Sequence, residues 1–171
     1  NMGEAQDFSS IFKLINKCRD QKIDWIFIGD GRKKVWFKKE LNSIKIFGEV
    51  YFLGNHPIKQ MPDFFKQADI MLISLKNKDI YSKTVPAKLQ AYLASAKPVI
   101  GMISGEAKSI IIESESGWCS DSGDIENAYE NICEILELSK IKLVEKGIKG
   151  RNYYDKYFAR KLTLFQLDSI I

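Results

Sequence analysis

The stretch ADIMLISLKNKDIYSKTVPAKLQAYLASAKPVIGMISGE, residues 68–106, decides the fold. Its two apolar runs, residues 70–75 and 98–103, show none of the polar alternation of a half-buried strand. Both therefore read as strands covered on two faces. Between them Thr84-Val85-Pro86-Ala87-Lys88 opens a helix that runs to about Ser95. Thr84 is expected to cap that helix, and Pro86 suits its first turn. Strand, helix and strand in this order make a parallel βαβ unit.

The same alternation extends in both directions. Phe8, Ile11, Phe12, Ile15 and Cys18 follow helical spacing over residues 5–20. Residues 24–28 form a run closed by Gly29-Asp30-Gly31, expected to be a strand buried on both faces. A short basic helix over 32–43, a strand over 50–54 and a helix over 58–68 with Pro62 near its start complete the first half. A helix over 106–115, a short strand at Trp118-Cys119-Ser120, and helices near 124–138, 140–156 and 158–170 follow. The expected architecture is a Rossmann-like, doubly wound α/β domain with one parallel sheet covered on both faces.

At 171 residues the chain is one domain, large enough for a core without disulfides or metal. No apolar run approaches the roughly 20 residues that span a bilayer. The three cysteines, Cys18, Cys119 and Cys133, cannot all pair and form no C-x-x-C. Cys18 and Cys133 fall on apolar helical faces and read as small buried hydrophobes, which suits the cytosol. A net charge of +4 with both signs mixed is mild. Lys38, Lys39, Lys45, Lys140, Lys142, Lys146 and Lys149 read first as solvated helix surface; a preference for an anionic membrane surface would need them more closely clustered, and nothing points to sequence-specific nucleic-acid recognition.

In open α/β sheets ligands bind at the carboxyl ends of the strands. The polar candidates collect there: Gly29 to Gly31, Gly54 to His56, Leu75 to Lys88, and Ser104 to Glu106. Lys88, one turn into its helix, would neutralise a diphosphate as negative charge develops on it, helped by free helix amides. Its alternative is a solvated helix lysine. Gly105-Glu106 opens another helix, where amides could meet a phosphate and Glu106 could accept from ligand hydroxyls, or simply complement the helix dipole. Gly3 would let backbone approach phosphates closely, and Glu4 would contact the same ligand or sit in a first helical turn.

Gly29-Asp30-Gly31 lacks the third glycine of a dinucleotide fingerprint, so turn chemistry competes with a role for Arg32 and Lys33 on phosphate or ribose. Gly54 and Asn55 could hold a base edge through backbone groups. His56, the only histidine, has no partners for a metal site or a triad and reads as a surface-loop residue.

Pro86-x-Lys88-Leu89-Gln90-x-Tyr92-Leu93-Ala94-x-x-Lys97-Pro98-Val99-Ile100, with Ala68-Asp69-Ile70 upstream and Gly105-Glu106 downstream, resembles the donor-binding half of GT-B glycosyltransferases. The likeness is to the family-4 type that builds capsule, O-antigen and other bacterial surface polysaccharides. It runs from Asn1-Met2-Gly3-Glu4-Ala5-Gln6 to Tyr153-Tyr154-Asp155-Lys156-Tyr157-Phe158. The resemblance implies a nucleotide-sugar donor, UDP-linked by default, with no cofactor and no metal. It also implies an acceptor-binding N-terminal domain and a first strand that are absent from this chain. A lipid-linked acceptor at the inner face of the membrane would place the enzyme in the cytoplasm, at or near that surface.

One departure stands out. Family-4 members usually carry two glutamates seven residues apart before the Lys-Pro-Val strand, and the matching positions here are Lys83 and Ala91. Their sugar and ribose contacts would be dispensed with or moved, Glu106 being a candidate, and a degenerate, non-catalytic binding module is the alternative. An unrelated flavodoxin-like or dinucleotide-binding domain is disfavoured by the missing G-x-G-x-x-G.

Overall fold

Five strands pair in parallel: β1 (Trp25–Ile28), β2 (Val50–Gly54), β3 (Met71–Ser74), β4 (Val99–Met102) and β5 (Gly117–Ser120). The computed structural model describes residues 2–159. Among these residues eight α-helices accompany the strands: α1 (Phe8–Lys17), α2 (Lys34–Leu41), α3 (Met61–Gln67), α4 (Asp79–Ser82), α5 (Ala87–Ala94), α6 (Glu106–Glu113), α7 (Ile125–Glu137) and α8 (Lys140–Tyr157). The domain is Rossmann-like, as its alternation requires.

Strand β4 shows why an unbroken apolar run is needed. Successive side chains point to opposite faces of a strand. Val99 and Ile103 join Leu89 and Leu93 of α5 and Ile110 and Ile111 of α6 on one side. Ile100 and Met102 join Phe8 and Ile11 of α1 and Ala128 and Ile132 of α7 on the other. Each such side chain, fully buried, contributes about 1.5–3 kcal/mol.

The expected single sheet is divided. β1 pairs with β2, and β3, β4 and β5 pair in that order, with no ladder joining the two groups among the described residues. They share a core all the same, because Trp25 of β1 lies in one cluster with Ile100 of β4 and Trp118 of β5. One face of β1 and β2 is sealed by aromatic packing: Phe37 of α2 meets Phe8 and Phe27 at centroid separations of 4.9 and 5.0 Å. The opposite face leaves Ile26, Tyr51 and Leu53 exposed. Burial of β1 on both faces is therefore corrected. The neighbouring α3 buries none of its residues and does not seal that face.

Local details differ for identifiable reasons. The helix expected over 58–68 is a 3-10 turn, Ile58–Gln60, followed by α3. The polar loop after β3 contains α4. Thr84 does not cap α5; its hydroxyl donates instead to the carbonyls of Ile80 and Tyr81 at the end of α4, and Pro86 becomes the cap residue without a side-chain bond. Cys18 is buried and Cys133 half-buried. The helix expected over 158–170 falls outside the described residues from 160 onward.

Candidate functional site

Because the pairs within each sheet are parallel, the loops leaving β1 and β2 emerge on one side of their sheet, and those leaving β3, β4 and β5 on one side of theirs. Residues 2–5 join these two sides. The Met2 amide donates to the Asp30 carbonyl (2.8 Å) just after β1, and the Lys76 amide donates to the Ala5 carbonyl (3.0 Å) just after β3. The Gly3 amide donates to Gln6 Oε1 at 2.9 Å, so this amide is satisfied within the turn.

That crossing explains one glycine. Gly31 has φ of +154°, and a Cβ there would lie 2.4 Å from the Met2 carbonyl oxygen. The Gly29-Asp30-Gly31 turn thus packs against the start of the chain. Asp30 accepts from Lys34 Nζ (2.8 Å) and from the Gly31 amide (2.7 Å). These bonds, the lysine first, hold its carboxyl below the usual carboxylate range.

Glu4 is exposed and faces two cations, Lys76 Nζ at 3.4 Å and Lys33 Nζ at 3.9 Å. Both lysines line a cavity of about 280 Å³ beside the start of α1, together with Gln6, Ser9 and Trp36. Sequence reading named Lys33 as a candidate but gave no reason to pair it with Lys76. Only the crossing of residues 2–5 between β1 and β3 brings the two together.

Lys88 sits in the first turn of α5, half-buried. Helix α5 leads back to the start of β4, so its amino end lies on the loop side of the sheet. Among the described residues no side chain caps that end, and the Lys88 ammonium makes no hydrogen bond or ion pair. Burial alone pushes its pKa below the ordinary lysine value. A desolvated, unpaired cation beside free helix amides is poised to take an anion.

Gly105 is the cap residue of α6, with φ of +76° and no side-chain cap bond. A Cβ there would come within 2.1 Å of the Ser82 carbonyl oxygen, so the start of α6 presses on the end of α4. Glu106 is exposed and, among the described residues, makes no ion pair with Lys88 or any other group. A network unseen in the sequence holds the neighbouring loops: Asp121 accepts from Lys108 Nζ (2.8 Å) and Ser104 Oγ (3.2 Å), and the Ser122 amide donates to Ser104 Oγ.

Gly54, with φ of +75°, has open space where a side chain would be, and Asn55 beside it is exposed. Together with the Gly29 amide, which donates to the Gly54 carbonyl (2.7 Å), they form an accessible shelf at the end of β2. His56 is a local clasp: its ring nitrogens lie 3.0 Å from the Leu53 carbonyl and 3.1 Å from Gln60 Oε1. Among the described residues no cluster of His, Cys, Asp and Glu is arranged to hold a metal.

A Pseudomonas aeruginosa protein named "Probable glycosyltransferase WbjE" is 27% identical over 158 residues, which are 90% of this chain and 39% of that protein. Anabaena HepE, solved in complex with UDP and glucose, superimposes with a TM-score of 0.77 at 13% identity, covering 95% of this chain and 43% of its own. Sucrose-phosphate synthase from Thermosynechococcus elongatus gives a TM-score of 0.77 at 15% identity, covering 97% and 41%. At such identities the two structures establish the fold, and the chain spans about two fifths of each relative's length. The glycosyl transferases group 1 profile matches residues 4–152, and the chain belongs to that family.

Proposed function

We propose that this domain binds the nucleoside-diphosphate portion of a nucleotide sugar and serves as the donor half of a glycosyltransferase. The observation that carries the reading is Lys88, a half-buried cation with no partner among the described residues, at the uncapped start of α5. An arriving diphosphate would replace water around the ammonium with charge-assisted hydrogen bonds. It would hold the negative charge that grows as the glycosidic bond to the leaving nucleotide breaks. Lys33 and Lys76 supply further positive charge, exchanging Glu4 for phosphate.

The remaining parts follow from position. Gly54 and Asn55 offer an open shelf for the base, while the amides at Gly105 and Glu106, with the Glu106 carboxylate, face the sugar. Gly3, Gly29, Asp30 and Gly31 shape the floor of this site, and Pro86 sets the start of α5. UDP is the favoured nucleotide, because HepE, which shares the fold, was solved with UDP and glucose. The acceptor, a growing surface polysaccharide such as capsule or O-antigen carried on a lipid, would be held by a second, N-terminal domain. The unjoined edges of β1 and β3, bridged at their carboxyl ends by residues 2–5, support a further parallel strand between them as part of the whole enzyme.

The test is titration of the 171-residue chain with UDP, GDP and their sugars, followed by backbone amide NMR. Shifts at residues 87–88 and 105–107 are expected; saturable binding that leaves those amides unmoved would remove the reading. A second reading, a binding module without transferase activity, is favoured by Lys83 and Ala91 standing where the family carries its glutamate pair; both are exposed. Turnover by the full-length enzyme would exclude it.

A further inference from the structure

Helix α8 has two unlike sides. One is pressed onto the domain: a Cβ on Gly147 would lie 2.1 Å from the Ala96 carbonyl oxygen, and one on Gly150 would lie 2.8 Å from Ser116 Cβ. Leu143 and Tyr154 pack on the same side. A second side, about 120° round the helix, carries Ile141, Val144 and Ile148, spaced i, i+3, i+7, and they are 72%, 57% and 49% exposed. Three aliphatic side chains in a row are a face with no partner among the described residues.

The charge around this face has one dominant sign. At 100° per residue, Lys140 and Arg151 flank the apolar row on one side and Lys142, Lys149 and Lys156 on the other; Glu145 stands between the row and those lysines, and Asp155, paired with Arg151, lies in line with the row. Helix α8 holds six basic residues, counting Lys146, against two acidic ones, Glu145 and Asp155. Six minus two gives +4, which equals the formal charge of the entire chain. Lys149 is paired with Glu115, Arg151 with Asp155, and Lys146 lies over the Trp118 ring. The ammonium groups of Lys140 and Lys142 have no partner among the described residues and project freely.

We propose that α8 lies in the plane of an anionic lipid bilayer, its aliphatic row entering the headgroup boundary and its flanking lysines meeting the lipid phosphates. An interfacial helix sets an apolar face beside a polar face rich in Lys and Arg and has low net hydrophobicity. A protein partner would favour aromatic and Arg anchors and few lysines, and this face has the reverse composition. No helix among the described residues is long and apolar enough to cross a membrane, so attachment is to the surface. The inference does not rest on the donor-site reading, since vesicle binding needs no sugar transfer.

The experiment is co-flotation of the 171-residue chain with vesicles of phosphatidylcholine alone and of phosphatidylcholine mixed with phosphatidylglycerol. Binding is expected only to the mixed vesicles, and high salt should weaken it. Ile141→Glu with Ile148→Glu, and separately Lys140→Glu with Lys142→Glu, should each lower the bound fraction about tenfold or more. All four positions are exposed, and circular dichroism of each variant should match the parent. No flotation with anionic vesicles, or equal flotation of parent and variants, overturns the proposal. So does concentration-dependent dimerisation in sedimentation velocity that Ile148→Glu abolishes while lipid has no effect, since α8 would then face a second copy of the chain.

Discussion

The α-carbon of Gly105 stands so near the Ser82 carbonyl that any side chain there would collide with it: an added Cβ would sit 2.1 Å from the oxygen. Two loops that leave neighbouring strands, the one after β3 and the one after β4, are thereby locked together at the site's edge. Gly105 also holds φ at +76°, a conformation costly for any residue with a Cβ. Gly105→Ala is expected to cost about 2–3 kcal/mol of stability, from backbone strain plus the forced retreat of Ser82. Urea denaturation checks the loss, and nucleotide affinity should fall with it because the start of α6 moves away from α4.

Lys88 trades stability for binding. Its folded-state pKa lies below the 10.5 of a free lysine because burial disfavours the charged form. Below that folded pKa the ammonium's desolvation cost is present in full. As pH rises toward 10.5 the unfolded chain keeps its proton while the folded one sheds it, so stability should rise over that window. Lys88→Met should raise the melting temperature at neutral pH and flatten this rise, while weakening nucleotide binding. Thermal melts of both proteins across the alkaline range separate the two effects.

Glu4 competes with a ligand phosphate for Lys33 and Lys76. Glu4→Gln keeps the shape of the side chain and removes its charge. UDP affinity is expected to increase two- to fivefold, under about 1 kcal/mol, because exposed ion pairs are worth little. Lys33→Ala with Lys76→Ala should weaken UDP instead, more so at low ionic strength. Titrations at two salt concentrations measure both.

Burial pushes the Cys18 thiol up to about 12 and the Cys119 thiol up to about 11. Both should resist thiol reagents in the folded protein, since the thiolate is the nucleophile. The neutral thiol is favoured in the fold, so its contribution to stability is complete below the unfolded value of 9.0 and is lost as pH rises from there. Mass spectrometry after brief alkylation, native against denatured, reads the protection of each cysteine.

Legibility in the sequence followed how strongly each element was determined by its own residues. The run from Val99 to Ile103 dictated a fully buried strand because no polar residue interrupts it, and β4 is that strand. The run at Trp25–Ile28 looks the same in one dimension, yet Ile26 is exposed, because cover on the second face depends on neighbours that the local pattern does not encode. Pro86 and Lys88 marked the start of α5 correctly, whereas Thr84 finds nearer acceptors at the end of α4. Glu4, Lys33 and Lys76 are 29 and 43 residues apart along the chain, and their meeting is tertiary. The tie of Asp121 to Lys108 and Ser104 left no motif at all.

The central claim is that Lys88 anchors a nucleoside diphosphate at the start of α5. Calorimetric titration of UDP into the parent chain and into Lys88→Ala tests it most directly. The account predicts saturable binding by the parent, weakened in the variant by about 1.5–3 kcal/mol, the worth of a hydrogen bond to a charged group. Equal UDP affinity in the two folded proteins would contradict it.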